Sequence, residues 1–228
     1  MRVITGQRYF EAWPFNNLMD MLRQCADRHA DLVAYRFRRK PEEAEITKTY
    51  PQLVNDINFL GTALMSLNLS TDAKIAVYGD NCYEWAVAYN SAINGCGIVV
   101  PLDKLLPARE IEILLDRSSS EVLFYGLKQA DTVHKIAKHN KNLKYLICLD
   151  NESIKSEDTG ADSRYLSMYE LLNKGEHLLK QGDRSFVDIT INPDAMAAIF
   201  FTSGTTASAK GVMLSHKNIC ANIRSISG

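Results

Sequence analysis

Residues 201–211 of this chain read Phe-Thr-Ser-Gly-Thr-Thr-Ala-Ser-Ala-Lys-Gly, directly after a run of apolar residues. The hydroxyls of Thr202, Ser203, Thr205 and Thr206 can donate to phosphate oxygens. Gly204 and Gly211 free the backbone to bring N–H groups close, and Lys210 adds a full positive charge. Such a set suits a polyphosphate; the same composition also suits a Ser/Thr-rich hairpin turn. A Walker A loop needs GxxxxGK[ST]. Gly204 and Lys210 have its spacing, but Ala209 stands where glycine should precede lysine, and Gly211 stands where a Mg²⁺-binding hydroxyl should follow. Residues 212–215 read as a strand, whereas a Walker loop opens a helix, so that reading is rejected.

Other reactive side chains make weaker patterns. His216 suits a cap or orienting group at a helix start. His134 and His139 are spaced wrongly for two ligands on one helix face, so no metal site is expected. Glu110, Glu112 and Asp116 read as a solvated helix face. Tyr83, Trp85 and Tyr89 read as core aromatics. Cys220 has no local helper for nucleophilic chemistry, and no catalytic residue is assigned.

The loop needs a scaffold, and the flanking sequence supplies one. Asn16–Asn17 can cap a helix through Ala30, and residues 33–39 and 45–50 read as a hairpin. Pro51 suits the first turn of a helix with the stripe Leu53, Ile57, Leu60, Leu64 and Leu67. Short buried β runs at 74–79, 97–101, 121–126 and 144–149 then alternate with helices at 83–94, 108–117 and 130–139. That alternation implies an α/β fold, a mainly parallel sheet with helical crossovers. Residues 151–163 read as a polar surface loop, 165–179 as a helix, and 195–201 as a very apolar strand.

Of the 228 residues 46% are hydrophobic, which is enough for a substantial core. Lys+Arg number 26 and Asp+Glu 27, so no basic excess suggests nucleic acid. Residues 85–102 carry no charge, but Asn90, Asn94, Gly95, Gly97 and Pro101 interrupt them; a buried helix and strand are expected, with no transmembrane segment. Five scattered cysteines without a CxxC spacing suit a reducing cytoplasm, and no signal peptide is readable.

The segment 198–216 resembles the phosphate-loop signature of the adenylate-forming (AMP-binding) enzymes: acyl-CoA synthetases, peptide-synthetase adenylation domains and luciferases. Thr49-Tyr50-Pro51-Gln52-Leu53 resembles that family's TYxEL box, and residues 74–103 its stretch ending in an aliphatic-PLD element. Asn81 with Trp85, and the run from Leu106 to Glu110, most resemble long-chain fatty acyl-CoA synthetases. The resemblance covers residues 13–226. It implies that residues 1–192 form an α/β subdomain, the N-terminal part of the AMP-binding large domain. Residues 193–228 would then start the next subdomain with the phosphate hairpin 202–211, the C-terminal domain being absent and the chain a truncated fragment.

By the same resemblance the parent is an ATP-dependent, AMP-forming ligase. It would activate a fatty acid as acyl-adenylate and pass it to coenzyme A, with Mg²⁺ and with Thr202, Ser203, Gly204, Thr205, Thr206, Lys210 and Gly211 around the phosphates. The adenine, ribose and catalytic-lysine sites would lie further along, so the fragment itself is expected to be inactive, and its exposed apolar strand edge could form a homodimer. Two alternatives stand: an adenylation enzyme feeding a carrier protein, and a non-catalytic phosphate-binding module. The family usually has glycine at the position of Ala207 and proline at that of Ala209. A non-glycine residue held at positive φ costs about 1 kcal/mol.

Overall fold

The computed structural model describes residues 13–150, 162–202 and 209–227. Its first helix, α1 (Leu18–Arg28), starts where Asn17 accepts a hydrogen bond from the Asp20 N–H at 2.8 Å. A two-stranded antiparallel ribbon follows, β1 (Val33–Phe37) with β2 (Ile46–Thr49). Helix α2 (Tyr50–Met65) opens with a reciprocal capping box: the Gln52 N–H donates to Thr49 Oγ1 and the Thr49 N–H to Gln52 Oε1. Pro51 sits in its first turn, where a missing N–H costs nothing.

The centre is a seven-stranded sheet. In chain order its strands are β3 (Lys74–Tyr78), β4 (Ile98–Leu102), β5 (Ser120–Tyr125), β6 (Tyr145–Cys148), β7 (Tyr165–Ser167), β8 (Met196–Thr202) and β9 (Lys210–Ser215). In space the order is β7-β6-β5-β3-β4-β8-β9, and every pairing is parallel except β8 with β9. The helices between them are α3 (Tyr83–Ser91), α4 (Ala108–Ser118), α5 (Ala130–Ala137) and α6 (Met168–Lys180); α7 (His216–Ser227) follows β9.

Strand alternation builds two cores. Ile75, Val77, Val99, Val122, Phe124 and Ile147 face one way and pack with α1, α2, α3 and α6. Their chain neighbours Ala76, Val100, Leu123, Tyr125 and Leu146 face the other way and pack with α4 and α5. The two helical layers explain why the central strands read as continuous apolar runs. Helices α2 and α6 touch at Gly175, where an added Cβ would lie 1.7 Å from the Phe59 carbonyl oxygen.

Two expectations are corrected. Residues 165–167 begin as strand, not helix: Tyr165, Leu166 and Ser167 pair with Leu146, Ile147 and Cys148 of β6, and the helix starts at Met168. Three residues are too few to show a period of two, so a neighbouring strand decides their state. The helix read over 83–94 ends at Ser91 and passes into a π turn, Ala92–Cys96, within which Gly95 adopts φ 138°. Of the polar loop expected over 151–163, residues 151–161 lie outside the described residues, and 162 and 163 are neither helix nor strand.

Candidate functional site: the hairpin at the carboxyl edge of the sheet

Strands β3, β4, β5, β6 and β8 are parallel, so their carboxyl ends share one edge, the usual place for ligands in open α/β sheets. β8 enters that edge from inside the fold, because Ala197 and Ala198 are fully buried while Thr202 is exposed. β9 returns antiparallel, with Phe201 opposite Gly211 and Thr202 opposite Lys210. Thr202 Oγ1 donates to the Lys210 carbonyl at 3.4 Å. Gly211 sits close against its partner strand: a Cβ there would come within 3.3 Å of the Phe201 ring and 3.2 Å of Ile199, so both side chains would have to give by a few tenths of an ångström.

Three of the seven expected site residues, Thr202, Lys210 and Gly211, therefore meet at the end of one hairpin. Ser203, Gly204, Thr205 and Thr206 lie outside the described residues, as does Ala207. The Lys210 side chain is exposed, and among the described residues it forms no ion pair.

The base of the hairpin is tied down on both strands. Ser215 and Asn218 cap α7 reciprocally: the Ser215 N–H donates to Asn218 Oδ1 at 3.0 Å and the Asn218 N–H to Ser215 Oγ at 3.2 Å. The Lys217 N–H donates to the Pro193 carbonyl at 2.8 Å, which links α7 to the start of β8. His216, expected to orient this helix, is 4% exposed. Burial holds its pKa below the ordinary 6.5, and a hydrogen bond with the Ile93 backbone offsets that in part. His216 is thus a buried imidazole at the start of α7 whose surroundings favour its neutral form.

Sequence reasoning missed the charged groups on neighbouring loops. Asp80, just after β3, takes Lys104 Nζ at 2.6 Å and Lys128 Nζ at 2.7 Å. These hydrogen bonds hold its carboxyl down at about 2. Asp150, after β6, accepts the Leu127 N–H at 2.6 Å. A cleft of about 320 Å³ runs between these loops and the ribbon residues Arg38 and Arg39. Cys82 also lines it, but burial pushes that thiol up to about 11, so it is no thiolate nucleophile at neutral pH. The signal available in the sequence was position: each of Asp80, Asp103-Lys104, Lys128 and Asp150 follows an apolar β run within three residues.

Also missed was Arg117, in the last turn of α4. Its guanidinium donates to the Ala209 carbonyl and lies 5.8 Å over the Phe201 ring. The remaining candidates fall into structural places. Glu110 and Asp116 are exposed, and Asp116 accepts from Asn140 Nδ2 at 2.7 Å. Trp85 and Tyr89 stack at 5.2 Å against the larger core, and Tyr83 donates to Asp56 Oδ2 at 2.6 Å.

The sequence matches the AMP-binding enzyme family over residues 22–227. The chain belongs to that family. Among curated AMP-binding relatives, a chloroplastic long-chain-fatty-acid–[acyl-carrier-protein] ligase of Arabidopsis thaliana is 30% identical over 216 residues, covering 91% of this chain and 29% of that protein. Fatty acyl-CoA synthetase B of Dictyostelium discoideum is 24% identical over 218 residues, covering 92% of this chain and 32% of that protein. The chain thus spans about a third of the length of these relatives.

Among solved structures, the adenylation and carrier didomain of a carboxylic acid reductase from Segniliparus rugosus, in complex with AMP, superposes with a TM-score of 0.74 at 16% identity. The match covers 90% of this chain and 32% of that one. A fatty acyl CoA synthetase of Mycobacterium tuberculosis gives 0.63 at 21%, covering 88% and 35%. Both likenesses are of fold. Among the described residues no helix is long and apolar enough to cross a membrane, and no three His, Cys, Asp or Glu side chains are grouped to hold a metal.

Proposed function

We propose that the hairpin ending in Thr202 and Lys210 holds the β- and γ-phosphates of ATP in an AMP-forming ligase that activates a long-chain fatty acid. The observation that carries this reading is the Thr202–Lys210 pair, which closes a hydroxyl- and glycine-rich loop at the carboxyl edge of a parallel sheet. The fatty-acid ligase names of the relatives support the substrate class.

A carboxylate is a poor acyl donor because oxide is a poor leaving group, and an acyl-adenylate removes that obstacle. Attack of the fatty-acid carboxylate on the α-phosphorus expels pyrophosphate, whose growing charge must be held in line and neutralised. Lys210 supplies the charge. Ser203, Thr205 and Thr206 supply hydroxyl donors and Gly204 and Gly211 backbone N–H donors, while Thr202, whose hydroxyl proton goes to the Lys210 carbonyl, ties the base of the loop. The described end of the hairpin carries no carboxylate for Mg²⁺, so in this reading the ion arrives with the nucleotide phosphates and none of the described residues acts through it.

Coenzyme A is the acceptor in this proposal, and a carrier protein is the second reading, favoured by the acyl-carrier-protein ligase name of the 30%-identical relative. In this proposal the 228 residues by themselves do not form acyl-adenylate: the family resemblance implies adenine and ribose sites further along than residue 228, and the chain spans about a third of the length of its relatives. ATP–pyrophosphate exchange with a panel of fatty acids tests this. The full-length protein should exchange and then form an acyl-CoA thioester; acyl-carrier product without thioester supports the second reading. Absence of any fatty-acid-dependent exchange in the full-length protein sinks both, and robust exchange by the 228-residue chain sinks the incomplete-site reading.

A further inference from the structure

We infer that Arg117 is a positioning residue for the phosphate hairpin: it fixes the peptide that precedes Lys210. This deepens the phosphate reading above and rests on it. Ala209 and Lys210 share one planar peptide, in which the Ala209 carbonyl and the Lys210 N–H point in opposite directions. The Arg117 guanidinium takes that carbonyl from a site 92 residues earlier in the chain. Whatever holds the carbonyl therefore aims the Lys210 N–H the other way and sets the direction in which the lysine leaves the strand.

Arg117 is suited to this because its helix is anchored in the core. It lies in the last turn of α4, whose Ile111, Leu114 and Leu115 are buried, and whose next residue, Ser118, donates its hydroxyl to the Leu114 carbonyl at 2.8 Å. The guanidinium has a second seat over the Phe201 ring at 5.8 Å, on the strand that rises into the loop. Phe201 and Ala209 both pack against the α4–α5 core, so one cation grips the rising and the returning limb together.

On the Lys210 side of the same turn, Thr202 Oγ1 takes the next carbonyl. The carbonyls of both Ala209 and Lys210 are thus engaged by side-chain donors at a place where an anion needs donors and is repelled by bare carbonyl oxygens. Alanine itself offers nothing to stiffen the limb, and Arg117 supplies the stiffness from outside.

The test uses the 228-residue chain, with Arg117→Ala, Arg117→Lys and Lys210→Ala, each checked for an unchanged melting temperature. Amide exchange of peptides covering residues 209–215 reads the limb directly, without any ligand. Titration with inorganic tripolyphosphate, followed by ³¹P NMR, reads the site. Arg117→Ala should speed exchange in that segment about tenfold and weaken tripolyphosphate about tenfold, the loss expected from one charge-assisted hydrogen bond. Arg117→Lys should recover part of both.

Unchanged exchange in Arg117→Ala overturns the positioning role whatever the titration gives. Affinity restored in Arg117→Lys with exchange still at the alanine level means that only the charge matters, and also overturns it. Faster exchange with undiminished tripolyphosphate binding removes the link to the site. Failure of the unsubstituted chain to bind tripolyphosphate at all counts against the phosphate reading, and the exchange measurement still decides the positioning of the limb.

Discussion

Thr202 and Lys210 face each other as the last cross-strand pair among the described residues of the β8–β9 hairpin, with the threonine hydroxyl 3.4 Å from the lysine carbonyl. The pair closes the base of the loop while leaving the lysine side chain exposed. A lysine whose backbone is fixed and whose ammonium is uncommitted among the described residues is placed to meet an incoming anion.

Lys210→Ala in the full-length protein should therefore lower adenylation about 10- to 100-fold, the worth of a charge-assisted contact of about 1.5–3 kcal/mol. Fatty-acid binding and the melting temperature should hardly change, because an exposed loop lysine supports no core. Pyrophosphate-exchange kinetics alongside thermal melts check this, and unaltered kinetics would take Lys210 out of the site.

Gly175→Ala should destabilise the chain even though alanine is the better helix former by about 1 kcal/mol. Its Cβ would sit 1.7 Å from the Phe59 carbonyl oxygen, so α2 and α6 would have to separate. A net loss of about 1–3 kcal/mol is expected from overpacking. Urea denaturation reads it as a lower midpoint; a raised midpoint would mean that the helix contact is looser than described.

Asp56 accepts from Tyr83 Oη at 2.6 Å and from Lys48 Nζ at 2.7 Å, within a cleft of about 280 Å³ between the β1–β2 ribbon and helices α2, α3 and α6. Asp56→Ala strands the buried Tyr83 hydroxyl and the half-buried Lys48 ammonium and should cost about 2 kcal/mol, whereas Tyr83→Phe removes one donor and should cost about 1 kcal/mol. Equal losses in the two variants, measured by denaturant titration, would contradict this ordering.

His216 gives the fold an acid-sensitive step. Burial lowers its folded pKa below the unfolded 6.5, so the unfolded chain binds the proton more readily. The contribution is complete above pH 6.5 and is lost as pH falls through the folded value. Asp80 acts in a lower window: its carboxyl is held at about 2 against an ordinary 3.8, so its contribution persists down to pH 3.8 and is lost as pH falls towards 2. Melting temperatures at pH 7.5 and 5 should differ less in His216→Gln than in the unsubstituted chain. An identical pH dependence would show that some other group causes the loss.

Much of the scaffold was legible in local sequence because its signals are local. Thr49 and Gln52 are three apart and form their capping box whatever lies elsewhere, and Ile111, Leu114 and Leu115 define the buried face of α4 by helical spacing alone. The hairpin flanking the loop, with Lys210 and Gly211 on its returning strand, follows from the apolar run before Thr202 and the strand-like run after Gly211. In the same way β7 escaped notice, because its three residues are strand only by virtue of pairing with β6.

What the sequence by itself determined was the alternation of buried strands and amphipathic helices, and the donors gathered in residues 202–211. Tertiary structure alone decided the strand order, which puts β3 between β5 and β4 and brings β8 beside β4. It also decided the company of the hairpin: Arg117 on the Ala209 carbonyl, and Asp80 between Lys104 and Lys128 on the same sheet edge. The physical reason is range. Periodicity and capping are set by neighbours within a turn or two of chain, whereas a contact across 92 residues exists only once both cores have packed and fixed where each strand ends.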